Sequence, residues 1–237
     1  YTQHRELFFT YVNLQGALLE QRLNWLMGGG FFHLRIDPTH IASLNAELSP
    51  DEQMPDVTLF EQLVTGGNIP RSAADGGRHA YLKAGVVYDT RDVEAHPMQG
   101  IWSEWNLTYF PGWIARQEAL LINTFIFRQY FTVLPSRLSL AYRVGHQTNL
   151  VGTTPWYLQP FIFNSYNITE GLGGGKTLRG VLKNRVVGSS LFWSNVEVRW
   201  KWLRTVVFNQ DFYAGLNFFF DTGRVLDAAG DQLHHTL

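Results

Sequence analysis

The chain has 237 residues, a formal net charge of −1, 15% aromatic and 16% charged residues, and no cysteine. This charge balance gives no electrostatic support for nucleic-acid binding, and the lack of cysteine excludes disulfides, thiolate metal sites and cysteine nucleophiles. So few charges beside so many aromatic rings make a poor covering for a protein surface in water.

The first 78 residues combine an apolar beginning with a polar continuation. We predict one or two strands before residue 37 and an extended loop region at about 38–78, in which only Leu59 to Val64 has a helical period. The chain begins at Tyr1 without a basic and apolar signal segment, so we expect a mature or partial chain. No apolar run approaches the roughly 20 residues that a membrane helix needs.

Alternation of apolar and polar residues dominates the remainder of the chain. In residues 136–148, Leu138, Leu140, Tyr142 and Val144 occupy the even positions, and polar or small residues occupy the odd ones. Successive side chains of a strand point to opposite faces, so this period of two predicts one apolar and one polar face. The same reasoning predicts strands at 79–91, 99–111, 116–133, 136–148, 155–164, 189–204 and 207–225.

The predicted strands are long, and aromatic side chains lie near their ends. Many reach the roughly 9 to 11 residues that cross a bilayer at a tilt. Their polar faces carry isolated charges among small residues, and long connections alternate with tight ones such as residues 134–136. We therefore predict an all-β fold, an antiparallel transmembrane β-barrel with a wet lumen. A soluble barrel or sandwich is the alternative, since alternation alone does not say which face points inward.

The stretch EGLGGGKTLRGVLKN, residues 170–184, invites comparison with a phosphate-binding loop. That loop requires G-x-x-x-x-G-K-[ST], and with Gly175, Lys176 and Thr177 in frame its first position is Glu170, a carboxylate that would repel a phosphate. Gly180 also interrupts the helix that should follow. We therefore predict no nucleotide site in this stretch.

Patterns typical of catalysis or metal binding are weak. The eight histidines are scattered, and the adjacent His234 and His235 lack the i,i+4 spacing of helical metal ligands. No nucleophile-base-acid set and no pair of carboxylates at a defined cleft stands out. We predict no catalytic residues, no metal and no cofactor, so the chain is not expected to be an enzyme.

Four stretches, residues 86–102, 173–188, 194–202 and 215–225, resemble the bacterial surface antigen family in that family's order. This superfamily comprises outer-membrane barrel assembly factors and two-partner-secretion translocators, which are BamA-like and TamA-like. The likeness runs from about residue 79 to 226. It implies a sixteen-stranded barrel whose sixth extracellular loop, here about 164–188, folds into the lumen.

The motif Leu178-Arg179-Gly180 resembles the motif of that loop, which usually continues with Tyr or Phe where this chain has Val181. The resemblance implies that the arginine pairs with acidic residues on the two strands that follow. Alternation independently places Glu197 and Asp221 on the polar faces of those two strands. An arginine forked between two carboxylates gains bidentate, charge-assisted hydrogen bonds.

The glycines that precede this motif, Gly173, Gly174 and Gly175, are expected to let the loop turn tightly and approach the barrel wall. Glycine suits both tasks because it tolerates positive φ and close backbone contact.

About nine strands cannot close a sixteen-stranded barrel. Open edges would leave unpaired backbone groups in lipid. We therefore expect part of a larger barrel, without its final strands and any periplasmic N-terminal domains.

The resemblance implies an outer-membrane barrel that assists the insertion, assembly or translocation of other outer-membrane or secreted proteins through lateral opening and bilayer thinning. The expected partners are outer-membrane lipid, unfolded β-barrel or secreted client proteins, and subunits of an assembly complex, with no nucleic acid. Two alternatives stay open. A passive diffusion channel would share the alternation and the wet lumen, and a barrel could also anchor a fused enzyme domain.

Overall fold

The computed structural model describes residues 3–20, 22–46, 48–115, 118–166 and 168–226. The pair His234-His235 and the start of the strand predicted at 116–133 lie outside these residues. Strands dominate, which confirms the prediction of an all-β fold. Three short α-helices are also present among the described residues.

Eight long strands form one antiparallel sheet, which we call the wall. They are β1 (Gln3–Leu19), β2 (Leu23–Pro38), β3 (Gly76–Asp89), β4 (Gly100–Phe110), β5 (Leu120–Leu134), β6 (Leu138–Val151), β9 (Leu191–Val207) and β10 (Gln210–Val225). Their order is β1-β2-β3-β4-β5-β6-β9-β10. Two short strands, β7 (Phe161–Phe163) and β8 (Ile168–Glu170), form a separate antiparallel pair between β6 and β9 in the chain.

The two faces of the wall differ in the way that the alternation predicts. On β3 the Leu82 side chain is 64% exposed, whereas Lys83 is 4% exposed. On β4 Trp105 is 52% exposed, whereas Glu104 is 1% exposed. Apolar side chains therefore cover the outer face, and the polar phase points to the inner face. This orientation is that of a membrane barrel, and the prediction of an antiparallel transmembrane barrel is confirmed.

Short and long connections lie at opposite ends of the wall because successive wall strands are antiparallel. The predicted tight turn between β5 and β6 is present, and its Arg137 N–H donates to the Leu134 carbonyl over 3.1 Å. Between β9 and β10, Phe208 and Asn209 have φ values of 49° and 59°. Such two-residue turns match the twist of paired strands. The opposite end carries the long connections 39–75 and 152–190.

The long connection between β2 and β3, predicted as an extended loop, contains helical turns. They are α1 (Ile41–Asn45), α2 (Leu59–Thr65) and a 3₁₀ turn (Arg71–Ala73). The helical period at Leu59 to Val64 thus predicted α2 correctly. Thr58 and Glu61 form a capping box in which each side chain accepts the other's backbone N–H. The third helix is α3 (Gly112–Ala115). No helix in the described ranges is long and apolar enough to cross a membrane.

The strand predicted at 155–164 is wrong as a wall strand. The chain leaves the wall after Val151 and rejoins it at Leu191, and residues 152–190, here called the interior segment, pack on the inner face. Tyr157 and Leu158 are both completely buried, so this stretch has no exposed face. Pro155 and Pro160 also lack the N–H that a sheet ladder requires.

The core lies between the wall and the interior segment, in two apolar clusters. In the first, Tyr157, Leu158 and Phe163 of the segment pack on wall residues that include Phe32, Tyr81 and Phe110. In the second, Ile162, Leu172 and Leu178 pack on wall residues that include Trp102, Ile126 and Trp193. The inner face therefore differs from the wet lumen that the sequence predicted, because the interior segment supplies apolar partners for it.

Single-cysteine labelling tests the orientation of β6, because the chain has no cysteine of its own. We expect nitroxides at Leu140 and Val144 in the reconstituted protein to collide with oxygen, which concentrates in lipid. A nitroxide at Arg143 should be shielded from oxygen. Electron paramagnetic resonance measures both accessibilities. Scanning residues 137–144 should give a period of two, and an absent or reversed period would contradict the barrel orientation.

Candidate functional site

The glycine-rich turn of the interior segment is closed by its own hydrogen bonds. The Thr177 hydroxyl accepts the Gly173 N–H over 3.0 Å and donates to the Gly171 carbonyl over 2.7 Å. The Gly174 N–H donates to the Val181 carbonyl over 2.9 Å. The threonine that would contact a metal ion in a phosphate-binding loop is here a structural part of the turn.

The three predicted loop glycines differ in how strictly the turn requires them. Gly173 has φ +109°, and a Cβ atom there would lie 2.3 Å from the Leu182 carbonyl oxygen. Gly174 has φ +72°, so a side chain would strain the backbone although space is available. Gly175 has neither constraint, because a Cβ atom there would meet nothing within 4 Å. The turn therefore depends on Gly173 most strongly.

Arg179 follows this turn and binds two carboxylates of the wall. Its Nε and Nη2 donate to the two carboxylate oxygens of Asp221 over 2.8 and 2.7 Å, which is a bidentate fork. Its Nη1 donates to Glu197 Oε1 over 2.5 Å. The backbone N–H of Arg179 also donates to Asp221, over 2.8 Å. The structure thus brings together the three side chains that the sequence singled out, and the backbone bond adds a contact independent of the side chain.

The surroundings of the Arg179–Asp221 fork strengthen it. The Asp221 side chain is only 4% exposed, so little solvent competes for its oxygens. The Phe219 ring lies 3.8 Å from the Arg179 guanidinium carbon, in a cation–π contact. The Asn195 amide donates to Asp221 over 2.7 Å and to the Thr177 carbonyl over 2.6 Å. The hydrogen bonds with Asp221 raise the pKa of Arg179 further above its usual value, which keeps the guanidinium charged.

The register between β9 and β10 explains why these side chains converge. Asn195 pairs with Asp221 and Glu197 pairs with Phe219, two positions apart in the ladder with the Val196–Phe220 pair between them. Side chains two residues apart on a strand share a face, so all four point to the inner face. Glu197 also accepts a hydrogen bond from Arg199 Nε over 2.9 Å, and Arg199 Nη2 lies in an ion pair with the same carboxylate oxygen at 2.8 Å.

The residues next to Arg179 determine how its part of the loop packs on the wall. Leu178 is buried in the second apolar cluster, where Gly223 of β10 leaves room for it. A Cβ atom on Gly223 would lie 3.1 Å from a Leu178 methyl group. Gly180 lies in a turn and has φ +86°. Val181 stands where the resemblance implies an aromatic residue, and the ring that contacts Arg179 in this chain is Phe219.

Two wall residues hold the middle of the interior segment, at residues 164 and 165. The Lys83 ammonium donates to the carbonyls of Asn164 and Ser165 over 3.0 and 2.7 Å. The Ser165 N–H donates to Glu104 over 2.8 Å. Lys83 and Glu104 were predicted only as charges in a wet lumen, and no signal beyond their polar phase identifies their backbone partners. Their burial makes these hydrogen bonds costly to lose.

Gln147 of β6 binds the backbone of β7 in a similar way. Its amide donates to the Phe161 carbonyl and accepts the Phe163 N–H, each over 2.9 Å. Arg143 adds a further contact, because it donates to Asn195 over 2.7 Å and to the Lys176 carbonyl. The alternation of β6 predicted only that these residues lie on the polar face of their strand. Together with the Arg179 site they attach the interior segment to β3, β4, β6, β9 and β10.

The chemistry of this arrangement is non-covalent. Among the described residues, no cluster of three or more His, Asp or Glu side chains could hold a metal ion. Each carboxylate of the site accepts hydrogen bonds from arginine, so neither is placed to act as a general base. The site is a set of ion pairs that fixes one chain segment against a wall.

Arg179 and Asp221 should behave as one unit in stability measurements. Replacing Arg179 by Ala leaves Asp221 buried without its cation, and we expect a loss of about 3 kcal/mol in unfolding free energy. Arg179→Lys should recover only part of it, since lysine lacks the fork. The double variant with Asp221→Ala should lose little more than the single variant. Urea unfolding in lipid vesicles measures the wild type, these three variants and Asp221→Ala alone, and fully additive losses of the two single variants would contradict the pairing.

The requirement for glycine can be tested with two neighbouring alanine substitutions. Gly173→Ala should destabilise the turn by about 1–3 kcal/mol, because it forces a side chain into positive φ and against the Leu182 carbonyl. Gly175→Ala is the matched control and should leave the turn unchanged. Limited proteolysis of residues 171–186 measures the effect. Equal cleavage rates in the two variants would show that the turn does not depend on Gly173.

The chain was compared with protein families, curated proteins and solved structures. Residues 30–235 match the Omp85 superfamily domain. A search of curated proteins finds no match. Among solved structures, the chain is similar to the crystal structure of BamA from Haemophilus ducreyi lacking POTRA domains 1-3, with a TM-score of 0.61 and 12% identity. That similarity covers 97% of this chain and 43% of the BamA chain, so this chain spans less than half of its length.

An identity of 12% shows likeness of fold alone, whereas the superfamily match covers most of the sequence. The family resemblance that the sequence predicted is confirmed by this match. The chain belongs to the Omp85 superfamily.

Proposed function

We propose that this chain is part of an outer-membrane barrel that assists the insertion, assembly or translocation of other outer-membrane or secreted proteins. Superfamily membership and the apolar outer face support this proposal. The observation that carries it is the interior segment, which ion pairs, buried hydrogen bonds and two apolar clusters hold on the inner face. The localisation that follows is the outer membrane of Gram-negative bacteria.

The proposed mechanism uses hydrogen bonding and needs no covalent step. An unpaired strand edge in lipid is unfavourable by several kcal/mol for each backbone group, so an opened wall gains stability by pairing with a client strand. The Arg179 site ties the interior segment to β9 and β10. A wall supported in this way can open elsewhere while its inner packing stays in place. The partners are lipid, unfolded client proteins and subunits of an assembly complex.

A passive diffusion channel fits the inner face less well. A channel needs a polar, water-filled passage, but in the described part of the chain Tyr157, Leu158 and Phe163 pack on the wall where that passage would run. An anchor for a fused enzyme domain would leave the features of the barrel unchanged. The sequence of the whole protein separates that alternative from assembly.

Client folding by the reconstituted whole protein tests the proposal. We expect the wild-type protein in vesicles to accelerate the folding of an unfolded eight-stranded outer-membrane protein, measured by its shifted electrophoretic mobility. Arg179→Ala should reduce this acceleration about tenfold or more if the site holds the active state, since about 1.4 kcal/mol corresponds to a factor of ten. Arg179→Lys should be intermediate.

The matched control is Arg204→Ala. Arg204 pairs with Asp211 across the same two strands, but both side chains are about two-thirds exposed, at 68% and 65%. Such an exposed pair contributes little, so this variant should keep wild-type activity. Wild-type protein that leaves client folding unchanged would contradict the assembly function. If that protein also conducts ions steadily, the passive channel is correct.

A further inference from the structure

A cavity of about 360 Å³ lies beside the Arg179 site on the inner face. The cavity is lined by residues of β5, β6 and β9 and of the interior segment, including its glycine-rich turn. The charged residues that line it are Arg128, Arg143, Lys176, Arg179, Glu197 and Arg199. A volume near the lower end of the roughly 300–1,000 Å³ of small-ligand pockets suits a small molecule or one ligand headgroup.

The positive charges of this cavity exceed the negative ones. Glu197 is occupied by Arg179 and Arg199, and Asp221 is occupied by Arg179. Across the described ranges, Arg128, Arg143 and Lys176 form no ion pair with a carboxylate. These three cations therefore share the cavity without a carboxylate in ion-pair contact, and the charge of Glu104 acts on Arg128 only from a greater distance. Cations held this close together repel one another until an anion joins them.

Arg128 and Arg143 both have N–H groups that can donate further hydrogen bonds. Arg143 binds Asn195 through Nε and the Lys176 carbonyl through Nη2, and no acceptor among the described residues binds its Nη1. Arg128 stacks its guanidinium on the Trp102 ring, 4.3 Å from the ring centre. The buried Nε of Arg128 has no hydrogen-bond partner in the part of the chain that the structure describes. Arginines in this state are typical of sites that recognise oxyanions.

We propose that this cavity binds a phosphate group. A phosphate offers several strong acceptor oxygens and more than one negative charge, which matches three cations without an ion-pair partner better than a single carboxylate does. The site is distinct from a nucleotide-binding loop, because side chains of two wall strands supply donors and Thr177 is used inside the turn. Free phosphate and the headgroup of a phospholipid share this chemistry.

Binding can be measured on the whole protein in detergent micelles with two probes. Inorganic phosphate, titrated at constant ionic strength against chloride, should raise the melting temperature saturably, and calorimetry should give a dissociation constant. Soluble short-chain phosphatidic acid is the second probe. Arg143→Gln and Lys176→Gln should each weaken binding about tenfold, since each removes a charge-assisted contact. Lys176 lies in an exposed turn, so its variant should fold even if Arg143→Gln does not.

The matched control is Arg137→Gln, because Arg137 lies in the turn before β6 and outside this cavity. Saturable binding of inorganic phosphate that this control keeps and Lys176→Gln weakens supports the proposal. Binding of phosphatidic acid alone, with the same pattern among the variants, supports it and identifies a lipid headgroup as the source. If neither probe binds, or if Arg137→Gln weakens binding as much as Lys176→Gln does, the proposal is wrong.

Discussion

The hydrogen-bonded fork between Arg179 and Asp221 is the interaction on which the inner organisation of this molecule depends. It joins a turn of the interior segment to β10 through three hydrogen bonds of 2.7 to 2.8 Å, one of them from the backbone. Around it, Asn195, Glu197 and Phe219 supply an amide, a second carboxylate and a ring. Each is placed by the register of two paired strands, so a shift of one residue would disassemble the whole group.

Polar anchoring and apolar packing have different roles along the interior segment. The two apolar clusters supply most of the burial, but apolar contact is not directional and could be satisfied by several positions of the segment. Lys83, Glu104 and Gln147 bind backbone groups of the segment, and those bonds form in only one position. The combination therefore selects a single docked arrangement. Without such anchors the segment would pack on the wall without a fixed register.

Much of the wall could be predicted from the sequence, because a period of two appears wherever one face meets lipid. The pairing of Arg179 with Glu197 and Asp221 followed from family resemblance together with the phase of two strands. The interior segment could not be predicted in the same way. Tyr157 and Leu158 are both buried by tertiary contacts, and their stretch resembled a strand because it is apolar. The role of Phe219 was missed for a similar reason, since a ring on the inner face has no periodic signal of its own.

Hydrogen exchange at the backbone amide of Arg179 tests the central claim most directly. This N–H donates to the Asp221 carboxylate, and no regular strand or helix protects it. If the interior segment is held on the wall in lipid, this amide should exchange as slowly as the paired amides of β9 and β10. In Asp221→Ala that protection should be lost while the strand amides keep theirs. Exchange in the wild-type protein as fast as that of an unprotected loop amide would contradict the account.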